Sequence, residues 1–587
     1  MNFSMKKVTR SFSLLLLSCF LGIATASDQQ SGRKITPLIW MLMAENNVES
    51  SAPNCSETSD QISSSDAAKF LTQATFGASE AAISQVVAQN NLCEWIERQM
   101  SLPTSRTLPF VRANSNGSLR TTRHHIWWQN VMQGEDQLRQ RVAFALSQIF
   151  VISDRDYELG NSQYGVSHYY DMLADNAFGS YRQLLENVTL HPTMGIYLGM
   201  VRNQKANPSL FIRPDENYAR EVLQLFSIGL HRLDQSGQVV PLNNPVDSYS
   251  QSTIENFARI FTGWNFVDSP GVWSTTTLTR YDKTRYMVAD FNPAPPNSFH
   301  DTGSKVLLDG YRLSASNGLL NPTLRDLSFA LDNIANHPNV PPFFSKLLIQ
   351  RLTSSNPSPA YVKRVADVFS SNEIGERGDL GAVVKAILLD PEAREGKALN
   401  PNFGKIKEPI LQVTQLWRAF NGVRGPDATN GEYRLRAKAS PQVDEIFGQA
   451  VMRSPSVFNF FLPNNPLFPS NSDVLYSPEI QIMTEANIAS MHNALYSQIY
   501  QYTNYDQDPF AVPVRINIDK AVSLASNPDA LLNYLNRLLL AGEMTASMRE
   551  SIRQHLIDLP DTGNLDVDRA KDAIFIIVAS PRYMVQD

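Results

Sequence analysis

Apolar residues recur every three or four positions along most of this chain. That spacing predicts short amphipathic helices, each with one stripe to bury. LRDLSFALDNIANH (324–337), PPFFSKLLIQRL (341–352), AYVKRVADVFSS (360–371), LGAVVKAILLD (380–390) and EPILQVTQLWRAF (408–420) share it. So do ALLNYLNRLLLAG (530–542), TASMRESIRQHLIDL (545–559) and VDRAKDAIFIIVAS (567–580). Order is expected from Asp66, with AAKFLTQATF helical, Gly77 as a C-cap and Ser79 as the N-cap of EAAISQVVAQNN. DQLRQRVAFALSQIFVIS (136–153) reads as one helix with a wide apolar face. The pattern changes at about 265–320, where TRYMVADF and KVLLDGYRL alternate and Asp309-Gly310 offers a hairpin turn. The predicted class is mainly α: a multi-helix, two-lobed array with a small irregular β-hairpin insert near 265–320.

Polar punctuation sets the boundaries. Lys6, Lys7 and Arg10 precede an apolar run from Phe12 to Ile23, and Ala24-Thr25-Ala26 is a small-x-small cleavage pattern. Residues 1–26 therefore read as a signal peptide and Ser27 as the mature start. A rival reading takes Leu16-Leu17-Ser18-Cys19 as a lipobox with a lipidated Cys19. Residues 27–65 read as a polar linker, 66–320 as an N-terminal helical lobe carrying the insert, and 321–587 as a C-terminal lobe. No later apolar stretch reaches the roughly 18 residues of a spanning helix. The expected location is periplasmic or extracellular. Cys55 and Cys93 then remain, and an oxidising compartment permits a disulfide between them; one exposed and one buried thiol is the alternative.

Composition narrows the partners. With 43% hydrophobic and 18% charged residues the chain is globular in type. A net charge of -6 and no Lys/Arg-rich run argue against nucleic acid. HExxH, paired CxxC, GxxxxGK[ST], GxGxxG and GxSxG are all missing. A divalent metal stays open as a cofactor, with no ligand motif behind it. DRDYELG (154–160) has its glycine one place late for a calcium loop and reads as a polar loop.

Two stretches concentrate candidate chemistry. In RPDENYAREVLQLFSIGL (213–230), Glu216, Asn217, Arg220, Glu221, Gln224 and Ser227 fall on one helical arc, opposite an apolar one. Asp215 suits a cap and Glu216–Arg220 an i,i+4 ion pair, so a solvated face accounts for the charges. The same arc facing a cleft would make Glu216 and Arg220 catalytic. In HDTGSK (300–305), His300 and Asp301 on a loop suit metal ligation or proton transfer, with Lys305 holding a substrate anion. The scaffold reading is an Asx-turn from Asp301 to Gly303 with His300 half exposed. His191 and His337 each precede proline and read as helix punctuation. His124 and His125 diverge on a helix, and Trp127 and Trp128 read as core before they read as an aromatic shelf.

FLTQATFGAS (70–79), HPTMGIYL (191–198), DENYAREVLQLFSIG (215–229), ARIFTGW (258–264), FHDTGSKVLL (299–308) and KIKEPI (405–410) follow one another in an order that resembles the bacterial domain of unknown function 1800 family. The resemblance runs from about Asp66 to the C-terminus. It implies a large, exported, predominantly helical protein, often encoded beside a second exported family, with no activity established. Many members of that family carry Trp-His-Asn-His in the helix matching 138–153; this chain has Leu146-Ser147-Gln148-Ile149 there. Two classes of function stay open: a partner-binding envelope or extracellular component, and an exported hydrolase using the His300–Asp301 loop. The hydrolase requires the 213–221 face, His300 and Asp301 to converge on one pocket of about 10 Å.

Overall fold

Ser63 starts the first helix. Its hydroxyl accepts from the Asp66 amide while the Asp66 carboxylate accepts from Ser63 N–H, a reciprocal cap. The helix α1 therefore runs Ser64–Ala74, two residues ahead of the expected start, because Asp66 is its third residue and not its first. Ser79 caps α2 (Glu80–Gln89) as expected. Gly77 is not the C-cap; Thr75 closes α1. Gly77 has φ +128°, and a Cβ there would lie 2.5 Å from the Cα of Gln415, so glycine lets two backbones touch.

The computed structural model describes residues 55, 61–114, 118–268, 283–289, 299–424, 447–467, 475–501 and 514–587. The signal-peptide and lipobox positions lie outside these residues, as does most of the 27–65 linker. Next come α3 (Leu92–Ser101), α4 (Leu108–Ala113), α5 (Leu119–Gln133), α6 (Gln137–Ser147), α7 (Gln163–Asp175), α8 (Tyr181–Leu190), α9 (Pro192–Tyr197), α10 (Asn217–Gln224) and α11 (Gln251–Ile260). After the insert follow α12 (Pro322–Ala335), α13 (Val340–Leu352), α14 (Pro359–Ser370), α15 (Leu380–Leu389), α16 (Pro409–Ala419), α17 (Glu485–Gln501), α18 (Pro528–Leu540), α19 (Ala546–Asp558) and α20 (Leu565–Val578). Short turns such as Tyr157–Gly160 and Pro391–Glu395 join them. The fold is mainly α, as the periodicity predicts.

The insert holds two antiparallel pairs. Lys305–Val306 pairs with Arg312–Leu313 around Asp309 and Gly310, both left-handed at φ 54° and 72°, which is the predicted hairpin turn. Trp264–Asn265 pairs with Val288–Ala289 of the TRYMVADF stretch. The 136–153 helix is shorter than its pattern suggests. It ends at Ser147, where the Ile149 and Phe150 amides both turn back to the Leu146 carbonyl. Ile149, Phe150, Val151 and Ile152 are buried on every side, so their run carries no helical stripe.

The two halves share one core. Helix α1 packs on α18, α3 on α15, α5 on α16 and α6 on α13. Trp127, Trp128 and Trp417 pack against one another across this junction, Trp127 on Trp128 edge to face at 5.0 Å and Trp128 on Trp417 tilted at 5.2 Å between centroids. They are core residues, with Trp127 and Trp128 on α5. The chain end returns too, as Val585–Gln586 pairs with Lys405–Ile406.

Cys55 and Cys93 are disulfide-bonded, 38 residues apart, tying the segment ahead of α1 to α3. A loop of that length should contribute about 2–4 kcal/mol. A Cys93→Ser protein, or wild type in dithiothreitol, should therefore unfold at lower urea by that amount. Identical urea midpoints with and without reductant would contradict it.

Candidate functional site

Helix α11 organises both predicted stretches, at opposite ends. Near its start, Gln251 donates to Glu216 Oε2 (2.8 Å) and accepts from Arg220 Nη2 (3.3 Å). Glu216 and Arg220 also pair with each other at 3.2 Å, both partly in solvent. Asp215 accepts from the Asn217 amide at 2.8 Å from one position ahead of the N-cap, which is Glu216. The helix α10 itself is eight residues long, with Glu216 as its N-cap and Leu225 as its C-cap. Of the predicted polar arc, Glu221 and Ser227 are buried. Ser227 lies past the helix end and bonds the Val222 carbonyl. Burial pushes the Glu221 carboxyl upward, with Arg220 opposing.

Eight residues on, Arg259 grips Asp301 with two bonds of 2.9 Å. That spacing along α11 separates the two predicted stretches by about 12 Å. Asp301 also accepts from the Gly303 amide at 2.9 Å, so the Asx-turn is present. Burial opposes ionisation of Asp301, but Arg259 and the Gly303 amide hold its pKa below the usual range. His300 is buried, not half exposed. Its Nδ1 faces the Thr262 carbonyl (2.9 Å) and its Nε2 faces Asp326 Oδ2 (3.2 Å), so both ring nitrogens are turned to protein acceptors. Gly263, at φ +84°, lets the His300 backbone approach. Lys305 does not reach an open site. It donates to Asp326 at 2.8 Å and to the Asp301 and Gly303 carbonyls at 2.5 and 2.9 Å. Asp326, 26 residues from His300, is the centre that local sequence could not supply.

Two further buried polar centres were not predicted. Asp154 receives Arg120 (3.0 Å), Arg123 (2.8 Å) and Arg453 (2.8 Å) with its side chain fully out of solvent. The second lies where α6, α13 and α16 meet. Lys405 Nζ is 3.1 Å from Glu479 and 4.0 Å from Glu408, and donates to the Gln350 and Arg351 carbonyls at 3.0 Å each. Arg141 donates to the Arg351 carbonyl at 2.6 Å. Gln148 and Gln449 both donate to Glu408 Oε2 at 2.5 Å. Gln148 belongs to the stretch that carries two histidines in the resembling family. The signal for this centre was charge on a helix without a polar face: every residue of α6, Arg139 and Arg141 included, is buried.

His191, His337 and His124 serve the scaffold. His191 caps α9 by accepting from the Thr193 amide, and His337 accepts from the Asn339 amide at 3.1 Å. His124 is buried beside Arg123, and burial followed by that charge lowers its pKa to about 3. Among the described residues, one group of three potential ligands is close enough for a metal ion, Cys55, Cys93 and Glu97, and its two sulfurs are bonded to each other. No helix among the described residues is long and apolar enough to cross a membrane.

One family model matches residues 69–585; its description is "Protein of unknown function (DUF1800)". No curated protein and no solved structure matches the chain.

Proposed function

The chain belongs to the DUF1800 family, and from that premise we propose that it is an exported envelope or extracellular component that works by binding a partner protein. The turn just ahead of α10 carries this reading. Asn207 and Ile212 close it with paired backbone bonds of 3.0 Å. Its tip holds Leu210 at 65% and Phe211 at 95% exposure. Phe211 sits at φ 55°, a left-handed conformation that costs a non-glycine residue about 1 kcal/mol or more. Scaffold packing does not account for a strained phenylalanine in water, whereas an aromatic anchor for a partner pocket does. Leu242, at 74% exposure on the loop after α10, adds a second apolar tip. Export is supported by the N-terminal pattern and by the Cys55–Cys93 disulfide.

The natural partner to test is the second exported protein expected beside this family's genes. Purified mature chain should bind it in surface-immobilised titrations. Phe211→Asp should weaken that binding by about tenfold or more, with the thermal midpoint unchanged. Equal binding by Phe211→Asp, or no binding by the wild type, would overturn the proposal.

A further inference from the structure

We propose that the buried centre where α6, α13 and α16 meet holds one small inorganic monoanion, chloride, against the guanidinium groups of Arg141 and Arg351. The charges of this centre do not cancel among themselves. Arg141, Arg351 and Lys405 bring three positive charges, Glu408 and Glu479 bring two negative ones, and all five side chains are buried. Among the described residues these are the charged groups that act on one another there. The sum is one surplus positive charge.

Lys405 does not remove the surplus by giving up a proton. Its Nζ donates to the Gln350 and Arg351 carbonyls at 3.0 Å each and faces Glu479 at 3.1 Å. Three acceptors match the three N–H groups of an ammonium, whereas a neutral amine would turn a lone pair toward one of them. Burial lowers the Arg141 pKa to about 10, which leaves it charged at neutral pH.

Hydrogen bonding locates the surplus. Arg141 Nη2 donates to the Arg351 carbonyl at 2.6 Å. The Nε and Nη1 groups of both arginines are buried with no hydrogen-bond partner among the described residues. Phe461 lies over the Arg351 guanidinium at 4.6 Å, and Phe144 lies 5.9 Å from that of Arg141. A ring covers the face of a guanidinium and leaves its in-plane N–H groups unanswered. The carboxylates are engaged elsewhere: Glu408 Oε2 takes Gln148 and Gln449, and Glu479 lies against Lys405. Folded proteins pair buried groups of this kind with protein, water or an ion. Water would answer the N–H groups and leave the charge, whereas a monoanion answers both. The unpaired groups on the two arginines are all donors, and chloride accepts from every side. Arg141 is 0% and Arg351 2% exposed, so the ion must be small.

Urea unfolding of the mature chain from about 1 to about 100 mM chloride, with gluconate holding the ionic strength constant, tests this. An ion held by the folded chain alone stabilises it by mass action. The unfolding constant should therefore fall about tenfold for each tenfold rise in chloride above its dissociation constant. Arg141→Met and Arg351→Met should each lose that dependence. Bromide in place of chloride should give an anomalous diffraction peak within reach of both guanidiniums, a reading that needs no variant. The site is refuted if the wild-type unfolding constant is the same at every chloride concentration, as it would be with water alone in the centre. It is refuted equally if either variant keeps the full wild-type dependence, or if bromide gives no peak at the two arginines.

Discussion

Replacing Glu408 with alanine is expected to lower the free energy of unfolding by about 3–5 kcal/mol. The side chain has no solvent exposure. Its Oε2 receives amide N–H groups from Gln148 and Gln449, and it shares Lys405 with Glu479. Three cations, Arg141, Arg351 and Lys405, are buried around these two carboxylates. Burial lowers the pKa of each of them, with Glu408 or Glu479 opposing. Without Glu408 the three would face one carboxylate, in a place where water cannot screen them. Two glutamine amides would also lose their acceptor. Glu408→Gln keeps the volume and an acceptor but removes the charge, so it should fall between wild type and alanine. Urea unfolding reads the difference as a shift in midpoint at constant slope. A Glu408→Ala protein within about 1 kcal/mol of wild type would show that the centre is not held together by this charge. Glu408→Ala combined with Lys405→Met should cost less than the two singles added, because each removes the other's unpaired charge.

The helices were legible because each buries its own stripe, and the stripe is local. Pro322–Ala335 and Leu565–Val578 start within two residues of their apolar patterns. The Glu216–Arg220 pair and the Asp301 turn were legible for the same reason, since their partners lie two to four residues away. What was not legible depends on long range. Arg259 is 42 residues from Asp301, and Gln148 is 260 from Glu408. Nothing in HDTGSK says that Asp326 will take both His300 and Lys305. The same limit explains the 136–153 helix: an all-apolar run has no period, so only tertiary packing decides where the helix stops. Phe211 was missed because a single phenylalanine before a polar stretch reads as buried until the turn that displays it is built.

Asp154 makes a second prediction of similar size, and this one depends on pH. Burial alone would raise its pKa, but Arg123, His124 and Arg453 outweigh burial and hold it well below the ordinary value of 3.8. A carboxyl depressed in the folded state binds its proton more readily when unfolded. Its contribution is therefore complete above the unfolded pKa and is lost as pH falls from there toward the folded value. Asp154→Asn should cost about 3–5 kcal/mol at pH 7, because three guanidiniums lose their shared partner. The gap between wild type and variant should then narrow as pH drops below about 4. Asp171 acts the other way. Burial raises it to about 6 against its bonds from Thr107 and Leu108, so the fold loses stability through it as pH rises from 3.8 toward 6. Both proteins keep Asp171, and its effect cancels in the difference curve. Urea titrations of wild type and Asp154→Asn at a series of pH values isolate the Asp154 part. A gap that stays constant from neutral pH to acid would mean that Asp154 contributes its hydrogen bonds but not its charge.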